Sequence, residues 1–364
     1  MKPIIVAMMI FTTLLFGQVD DKNIKTEQIT TIDGVPWALE FIDDKNLLIT
    51  QKSGKIYRLN IDTKELTEIK NPPKSLDYGQ GGLMDIALSP EFTKTKEIYL
   101  TYTKDSKKGV FTTLAKAKLI DDRLVGLEDI IETKSISNTG RHFGSRIAFD
   151  KDGGILFGIG DRGVRENGQN LKTHAGSLLK VTHEGKPHKD NPFINSDSTL
   201  KEIYSYGHRN PQGVVYDSEN DIIYLVEHGP RGGDEINIIQ KGGNYGWPLY
   251  SYGKEYYADI EVGDRPHKNQ TVEPVKIYDP SIAPSSMYLY RDGVFEEFDN
   301  SLLIGALAKR HLNIIKLDSS GKPAEELRIL ENLNERIRDV IADSKGYIYI
   351  STDSGKIIRL LPRQ

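Results

Sequence analysis

The stretch RIAFDKDGGILFGIGD (146–161) consists of a short apolar strand, a polar turn rich in Asp and Gly, and a second apolar strand. Its apolar residues recur at a spacing of two, which is typical of β-strands and not of helices. The same pattern is found five more times along the chain, which predicts an all-β protein built from similar units. These copies are ALEFIDDKNLLIT (38–50), DIALSPEFTKTKEIYLTY (85–102), GVVYDSENDIIYLVEHG (213–229), GVFEEFDNSLLIGAL (293–307) and DVIADSKGYIYISTD (339–353).

Several copies continue into a third strand after another turn, as in SGKIYRLNI (53–61) and SGKIIRLL (354–361). Each unit thus resembles a small antiparallel sheet, and such a sheet cannot bury both of its faces alone. Radial packing of several sheets around a channel buries those faces, so we expect a propeller-like arrangement. The strand-like TEQITTI (26–32) precedes the first copy, and we expect it to close the ring by pairing with the last unit.

The spacing of the units predicts long loops. First strands fall about sixty residues apart, which is longer than the roughly 40–45 residues of a compact propeller blade. Two stretches, 163–200 and 241–286, have the composition of such loops. Because binding sites are commonly built on ordered loops above a rigid scaffold, we expect these stretches to contribute to a site.

Composition excludes several functional classes. The formal net charge is −4 at pH 7, and the chain has no long run of Lys and Arg. Nucleic acid is therefore not expected as a partner, because a phosphate backbone selects a basic surface. The sequence contains no cysteine, which excludes a disulfide framework, a thiolate metal site and a cysteine nucleophile.

The N-terminus has the features of an export signal. Lys2 is followed by an apolar run from Ile4 to Phe16, which is shorter than the ~20 residues that span a bilayer. We predict a signal peptide over residues 1–18 and a single propeller domain over 19–364. The mature protein would be periplasmic or secreted, with no stable membrane span after processing. A retained N-terminal anchor is the alternative.

Polar residues cluster near the predicted strand ends, where a propeller brings its loops together over the channel. His142 precedes the third unit, Asp161 ends that unit's second strand, and Gln80 lies beside a glycine pair near the second unit. A lone His is usually a satisfied structural residue, and an Asp in GDRG is usually a turn residue. A further group occurs in YGHRNPQG (206–213), which contains Arg209, Asn210 and Gln212.

Two other groups suggest charged ligands. Gly229 and Pro230 form a turn after a strand, so their carbonyl oxygens have no ladder partner and are suitable ligands for calcium. Arg336 and Arg338 lie two residues apart, on one face of a strand, and Lys309 precedes them in the chain. Paired guanidiniums suit a polycarboxylate. A plain turn and a solvated strand face are the structural alternatives.

These residues, in this order, resemble those of the soluble pyrroloquinoline quinone (PQQ) dehydrogenases, namely soluble glucose dehydrogenase and the related aldose sugar dehydrogenases. The likeness extends over nearly all of the mature chain. The most specific segments are HGPRGGDEINIIQKGGNYGWP (228–248), YGHRNPQG (206–213), SIAPSSMYLY (281–290) and RIRDVIAD (336–343).

The resemblance implies a six-bladed β-propeller of four-stranded antiparallel blades, with PQQ lying over a calcium ion at the channel mouth. The carbonyls of Gly229 and Pro230 would hold calcium, and Arg209 would polarise the carbonyl that accepts hydride. The other residues that the resemblance assigns to the cofactor are Asn210, Gln212, His228, Lys309, Arg336 and Arg338. Relatives often have Gln at the position of His228.

The resemblance also implies a reaction. His142 would be the general base for the anomeric hydroxyl of an aldose, Asp161 would orient His142, and Gln80 would contact the sugar. The product would be a lactone, and the electrons would pass to an external acceptor, either a quinone or a small redox carrier. Glucose-specific relatives have an aromatic residue where this chain has Asp279, so stacking on the sugar is not expected from that position.

Two other functional classes remain open at the sequence level. A calcium-dependent propeller hydrolase or lactonase predicts a ring of Asp, Glu and Asn around the metal, and leaves the basic residues Lys309, Arg336 and Arg338 without a role. A non-catalytic binding propeller predicts loss of His142 or of these basic residues, all of which are present.

Overall fold

The structure, a computed structural model, describes residues 16–17, 23–268 and 270–363. The predicted signal peptide therefore lies outside the described residues except for Phe16–Gly17. Six sheets follow one another along the chain, and we number them as blades 1 to 6. This confirms the prediction of a six-bladed β-propeller of four-stranded antiparallel blades.

Each of the first five blades is formed by four consecutive strands, and Phe16–Gly17 adds to blade 5 by pairing in parallel with its fourth strand. The strands are Pro36–Phe41, Asn46–Gln51, Ile56–Asn60 and Leu66–Glu68 in blade 1; Leu83–Leu88, Glu97–Ser106, Gly109–Ile120 and Arg123–Glu132 in blade 2; Ile147–Phe149, Ile155–Ile159, Ser177–Val181 and Ile203–Tyr206 in blade 3; Pro211–Asp217, Ile222–Glu227, Asp234–Ile238 and Lys276–Tyr278 in blade 4; and Pro284–Tyr290, Ser301–Ala306, Leu312–Leu317 and Pro323–Ile329 in blade 5.

Blade 6 combines one N-terminal strand with three C-terminal strands. Its first three strands are Ile337–Ala342, Ile348–Thr352 and Lys356–Pro362, and its fourth is the N-terminal strand Ile24–Thr31. The last two pair antiparallel, with Ile24 opposite Pro362. This confirms the expected closure of the ring by the N-terminal segment.

The fifth repeat was wrongly placed by the sequence analysis. Its predicted first strand, GVF (293–295), is a turn that leads into a short 3₁₀ helix at Glu296–Phe298. Phe295 and Phe298 are almost fully buried there, so their apolar character reflects a packed turn and not a strand. The first strand of blade 5 is instead Pro284–Tyr290, within the segment that carried part of the family resemblance.

Helices are few among the described residues. Besides Glu296–Phe298 they comprise the α-helical turn Phe92–Thr95 and the 3₁₀ helices Arg165–Gln169 and Glu331–Leu333. In this part of the chain, no helix has the length and apolar character that crossing a membrane requires.

The core lies between the blades. Buried apolar side chains form six clusters, and each cluster joins two neighbouring blades, with the last joining blade 6 to blade 1. A fully buried aliphatic or aromatic side chain contributes about 1.5–3 kcal/mol relative to exposure. Every blade therefore packs both of its faces against neighbouring blades, as expected for radially arranged sheets.

A buried ion cluster connects the blades across the channel. Arg146, just before blade 3, bonds Asp85 of blade 2 at 2.9 Å and lies 3.2 Å from Asp339 of blade 6. Its guanidinium also donates to the carbonyl oxygens of Trp37 and Ser285, in blades 1 and 5. One side chain therefore bonds groups from four other blades and fixes their first strands around the axis.

Candidate active site

The topology brings the predicted site residues to one end of the channel. The six first strands contact one another around the axis, so the residues just before them share an end. In an antiparallel pair the end of the second strand lies beside the start of the first, and residues there reach the same place. Before or at the first strands lie Gln80, His142, Arg209, Asn210, Gln212, Arg336 and Arg338; after second strands lie Asp161, His228, Gly229, Pro230 and Lys309.

His142 and Asp161 form a buried pair. Nδ1 of His142 lies 2.6 Å from Oδ1 of Asp161, and the backbone N–H of His142 donates to Oε1 of Gln80 at 2.8 Å. The backbone of His142 has φ 55°, a left-handed conformation that is uncommon outside glycine. Gly160 permits this approach, because a Cβ at that residue would lie 2.4 Å from the carbonyl oxygen of His142.

The environment keeps the imidazole of His142 neutral. Burial lowers its pKa, the hydrogen bond to Asp161 opposes that effect, and the positive charge of Arg209 adds to the lowering, with a net pKa below the usual 6.5. Burial alone would raise the pKa of Asp161, but the hydrogen bond from His142, the charge of Arg209 and the hydrogen bond from the Gly163 N–H outweigh it, and the pKa is lowered. Asp161 is therefore ionised and accepts the Nδ1 proton, which leaves Nε2 as the basic nitrogen.

Trp247 and Gly163 hold the rest of the Asp161 carboxylate. The indole Nε1–H of Trp247 donates to Oδ2 at 2.8 Å, and the backbone N–H of Gly163 donates to Oδ1 at 2.7 Å. Trp247 was not predicted from the sequence as a site residue, although it lies in the loop 241–286 that was expected to contribute to a site. Its spacing of 86 residues from Asp161 gave no signal of contact.

Arg209 is anchored by the buried carboxylate of Glu227, which was likewise not predicted from the sequence. Its backbone N–H donates to Oε2 of Glu227 at 2.7 Å. The other oxygen, Oε1, lies 2.8 Å from Nδ1 of His208 and accepts from Asn237 at 3.0 Å. The Arg209 guanidinium donates to the carbonyl oxygen of His228 at 3.2 Å. This network connects the segment before blade 4 with the turn after its second strand.

Asn210 and Gln212 lie next to Arg209 and are buried. The Nε2 group of Gln212 donates to Oδ1 of Asn210 at 3.2 Å and to the carbonyl oxygen of Pro211 at 2.9 Å. The carbonyl oxygen of Asn210 accepts the backbone N–H of His228 at 3.1 Å. The two amide side chains are thus ordered within the wall of the site.

His228 is a neutral hydrogen-bond donor. Burial and the charge of Arg209 lower its pKa to about 3. Its Nε2 lies 2.6 Å from the carbonyl oxygen of Pro284, and because a carbonyl can only accept, Nε2 carries the hydrogen. His228 therefore fixes the blade 4 turn to the start of blade 5.

The turn after the second strand of blade 4 contains two buried residues, Gly229 and Pro230, whose carbonyl oxygens are not used in the sheet. No backbone N–H of a described residue donates to the carbonyl of Gly229 or Pro230, although the Ser281 hydroxyl lies 3.3 Å from the Pro230 oxygen. Asp234 braces the turn through the Gly229 N–H at 2.9 Å. Only glycine fits at 229, because a Cβ there would lie 2.0 Å from the carbonyl oxygen of Gly233.

Hydrogen bonds connect this turn to the basic residues. Asp234 Oδ2 accepts the Ala283 N–H at 2.8 Å, and the Ala283 carbonyl accepts the Leu307 N–H at 2.9 Å. The Leu307 carbonyl accepts from the Arg336 guanidinium at 3.0 Å. The turn with the proposed cation ligands and Arg336 therefore belong to one chain of hydrogen bonds that passes through blades 4, 5 and 6.

Asp353 sets the spacing of the two arginines. Its Oδ2 accepts from Arg336 at 2.7 Å and its Oδ1 accepts from Arg338 at 2.8 Å. The Arg336 side chain is 44% exposed and that of Arg338 is 11% exposed, so the pair presents one outer and one inner guanidinium. Lys309 is exposed in the turn after the second strand of blade 5. Asp353, which follows the second strand of blade 6, was not predicted from the sequence.

Comparison with known proteins points to one family. The family model described as glucose/sorbosone dehydrogenase matches residues 34–359. The aldose sugar dehydrogenase YliI of Escherichia coli is 36% identical over 337 residues, which cover 90% of each chain. The quinoprotein glucose dehydrogenase B of Acinetobacter calcoaceticus is 26% identical over 422 aligned residues, covering 93% of this chain and 87% of that protein.

Solved structures agree with the sequence comparison. The apo form of the soluble aldose sugar dehydrogenase of Escherichia coli superimposes with a TM-score of 0.88 and 33% identity, covering 93% of this chain and 100% of that one. The PQQ-bound aldose sugar dehydrogenase of Streptomyces coelicolor gives a TM-score of 0.77 at 25% identity, covering 93% and 97%. From the match of the family model and these likenesses along nearly the whole length, the chain belongs to the glucose/sorbosone dehydrogenase family.

Proposed function

We propose that this protein is a PQQ- and calcium-dependent dehydrogenase that oxidises aldose sugars at C1 to the lactone. The observation that carries the proposal is the His142–Asp161 pair beside Arg209, which places a neutral base next to a fixed positive charge. The names of the relatives, a quinoprotein glucose dehydrogenase and a PQQ-bound aldose sugar dehydrogenase, support the cofactor.

The residues present fit the two groups. The Gly229 and Pro230 carbonyls, which accept no backbone N–H from the described residues, would hold calcium. Among those residues, no group of three or more His, Asp or Glu side chains is arranged to hold a metal ion. This supports a main-chain cation site over the acidic ring of a propeller lactonase.

The basic residues suit a flat tri-acid. Arg336, Arg338 and Lys309 would meet the carboxylates of PQQ, while Asn210, Gln212 and His228 would line it. Bound PQQ supplies the quinone that accepts hydride from the sugar. Arg209 would lie over the developing negative charge and stabilise it without reorganising, because Glu227 already fixes its backbone.

The protein's own contribution to the reaction is the movement of a proton. The basic Nε2 of His142 would take the proton of the anomeric hydroxyl as the C1–H bond breaks. The resulting imidazolium would be stabilised by Asp161, which accepts its Nδ1–H. Gln80, held by the backbone N–H of His142, would contact the sugar beside the base. The hydride and the proton leave the sugar separately, and the electrons then pass to an external acceptor, either a quinone or a small redox carrier.

We also propose that residues 1–18 are a signal peptide and that 19–364 form the periplasmic or secreted enzyme. The apolar run after Lys2 supports this proposal. N-terminal sequencing of the protein recovered outside the cytoplasm should begin after residue 18, and a mature protein that starts at Met1 would contradict it.

Reconstitution of the apoprotein tests the proposed reaction. We expect purified protein to reduce an artificial dye with several aldoses when both PQQ and CaCl₂ are added, and to produce the lactone. Omission of either component, or chelation with EDTA, should abolish dye reduction, and renewed calcium should restore it. Oxidation that proceeds without PQQ, or no oxidation of any aldose with both components, would refute the proposal.

A further inference from the structure

Trp247 occupies a central place between the acidic and basic parts of the site. Its side chain is 5% exposed, and its ring lies 5.7 Å from the Arg165 guanidinium and 5.4 Å from the Arg209 guanidinium. Its indole N–H donates to Asp161 Oδ2 at 2.8 Å. Trp247 therefore contacts both Asp161, the partner of the proposed base, and Arg209, the proposed stabiliser of negative charge.

The backbone fixes this ring in place. The N–H of Trp247 donates to the carbonyl of Gly207 at 2.9 Å, and its carbonyl accepts from the Gln169 side chain at 2.7 Å. Arg165 is held in turn by two bonds of 2.7 Å to the Glu255 carboxylate. Because burial, hydrogen bonds and two cations constrain the indole, its N–H has a defined direction toward Asp161.

The second oxygen of Asp161 depends on this donor. Oδ1 is shared between His142 and the Gly163 N–H, whereas Trp247 is the donor that the described residues provide to Oδ2. A buried carboxylate oxygen without a donor is costly, and a carboxylate that can rotate would not keep one oxygen on Nδ1 of His142. The indole N–H therefore determines both the orientation of the carboxylate and the share of its charge that faces the imidazole.

We propose that Trp247 is a positioning residue that locks Asp161 against His142 and thereby sets the basicity of His142. This inference rests on the proposed function for its catalytic meaning, but the hydrogen bond itself exists independently of PQQ. The charged and titratable groups that face His142 are Asp161, Arg162, Arg209 and His228. Trp247→Phe leaves all of these in place and removes the donor to Oδ2.

The chain offers a direct observation, because it contains two tryptophans. In the ¹⁵N-indole spectrum of the apoprotein, we expect the Trp247 N–H proton to resonate downfield of the Trp37 proton. Nε1 of Trp37 is buried and has no hydrogen-bond partner among the described residues. Asp161→Asn should move the Trp247 signal upfield and leave the Trp37 signal in place. If the Trp247 signal does not move in Asp161→Asn, the hydrogen bond between Trp247 and Asp161 would be refuted.

The second measurement tests the effect on the base. The pH at the midpoint of the His142 titration is measured by NMR in apoprotein with labelled histidine. The signal that is missing in His142→Gln is assigned to His142. Without the indole donor the Asp161 carboxylate can turn away from Nδ1, and the imidazolium loses the acceptor that stabilises it, so Trp247→Phe should lower the midpoint. Trp37→Phe, the matched control, removes an indole N–H that has no acceptor and should not move it. A midpoint that is unchanged in a folded Trp247→Phe variant would overturn the proposal.

The third measurement connects the bond to turnover. If the reconstituted enzyme oxidises aldoses, Trp247→Phe should lower kcat by roughly tenfold to a hundredfold, the range for a hydrogen bond to a charged group, with little change in KM. A variant with full kcat would refute the positioning role in catalysis even where both spectra support the bond. Failure of the wild type to oxidise sugars would refute the proposed function alone, since both spectra are recorded without PQQ.

Discussion

His142 shows how a single residue in this site is held by distant parts of the chain. Its left-handed backbone, with φ 55°, is maintained by a bond to Gln80 before blade 2 and by a bond to Asp161 after the second strand of blade 3. Conformations of this kind persist where surrounding contacts fix them, and they cluster at functional sites. The imidazole is thus placed before any substrate arrives.

Removal of the base tests its role. We expect His142→Gln to lower kcat by roughly 10²-fold or more, because general base catalysis typically contributes that much. PQQ affinity should be unchanged, since His142 is not among the residues proposed to hold the cofactor. Dye-linked turnover and a PQQ titration of the apoprotein measure the two quantities. Turnover equal to the wild type would remove His142 from the mechanism.

The lowered pKa of His142 predicts the pH dependence of the reaction. The base acts in its neutral form, so kcat/KM should fall as pH decreases through the pKa of His142 in the free enzyme. Because burial and Arg209 place this pKa below 6.5, the midpoint should lie below pH 6.5. A profile measured with saturating PQQ and calcium checks it. A midpoint above pH 6.5 would show that the His142 imidazolium is stabilised more than its surroundings indicate.

At the scale of elements, antiparallel pairing decides which loops share the site. The start of each first strand and the end of each second strand meet at one end of the channel, so residues as far apart as Arg338 and Asp353 form a bonded pair. Alternating apolar residues and the polar strand ends predicted this arrangement in advance. The repeat pattern did not locate every strand. In blade 5 it pointed to GVF (293–295), whereas the first strand is Pro284–Tyr290.

The two arginines at the start of blade 6, Arg336 and Arg338, lead to a separate prediction about PQQ binding. Arg336→Ala removes one guanidinium from the pair and should raise the Kd for PQQ about tenfold or more, in line with a lost charge-assisted hydrogen bond. Arg310→Ala is the matched control, because Arg310 is exposed nearby and bonds to Asn334 outside the proposed site. Fluorescence titration of the apoprotein gives both constants. Equal affinities in the two variants would exclude Arg336 as a PQQ ligand.

The sequence predicted which residues lie near the channel end, but it did not predict the hydrogen bonds between them. His142, Asp161, Arg209 and the basic residues were identified from motif order, and the structure places them at one end of the channel. Trp247, Glu227 and Asp353 were missed because each acts through a hydrogen bond to a residue far along the chain or in another strand. Periodicity and turn chemistry report local structure, and they contain no information about which polar groups meet after folding.

At the scale of the whole molecule, the buried cluster around Arg146 connects the blades. Its guanidinium bonds carboxylates and carbonyls from blades 1, 2, 5 and 6. Burial raises the pKa of Asp85 to about 6 and also raises that of Asp339, with the charge of Arg146 opposing the rise in each. The propeller therefore depends on one cation to neutralise two carboxylates on its axis.

Substitution of this cation should destabilise the entire ring. We expect Arg146→Met to cost about 3–5 kcal/mol of unfolding free energy, because it leaves buried carboxylates without their partner. Asp85 and Asp339 have raised folded pKa values, so their unfavourable contribution grows as pH rises, and the loss should be larger at pH 7 than at pH 5. Urea unfolding at both pH values measures this, with the exposed Arg123→Met as control. An equal loss of unfolding free energy at both pH values would contradict the role of Arg146 in neutralising Asp85 and Asp339.

The pairing of Ile24–Thr31 with Lys356–Pro362 has a consequence for biosynthesis. The outer strand of blade 6, Ile24–Thr31, is made before the other blades, and its partner Lys356–Pro362 is made after them, so the ring of blades cannot close until Lys356–Pro362 has been made. Until then, Ile357 is missing from the apolar cluster between blades 6 and 1, and Ile24–Thr31 has an open edge. The same geometry places Ile24 beside Pro362. A short linker could join them, and new ends could then be cut in a surface loop far from the site.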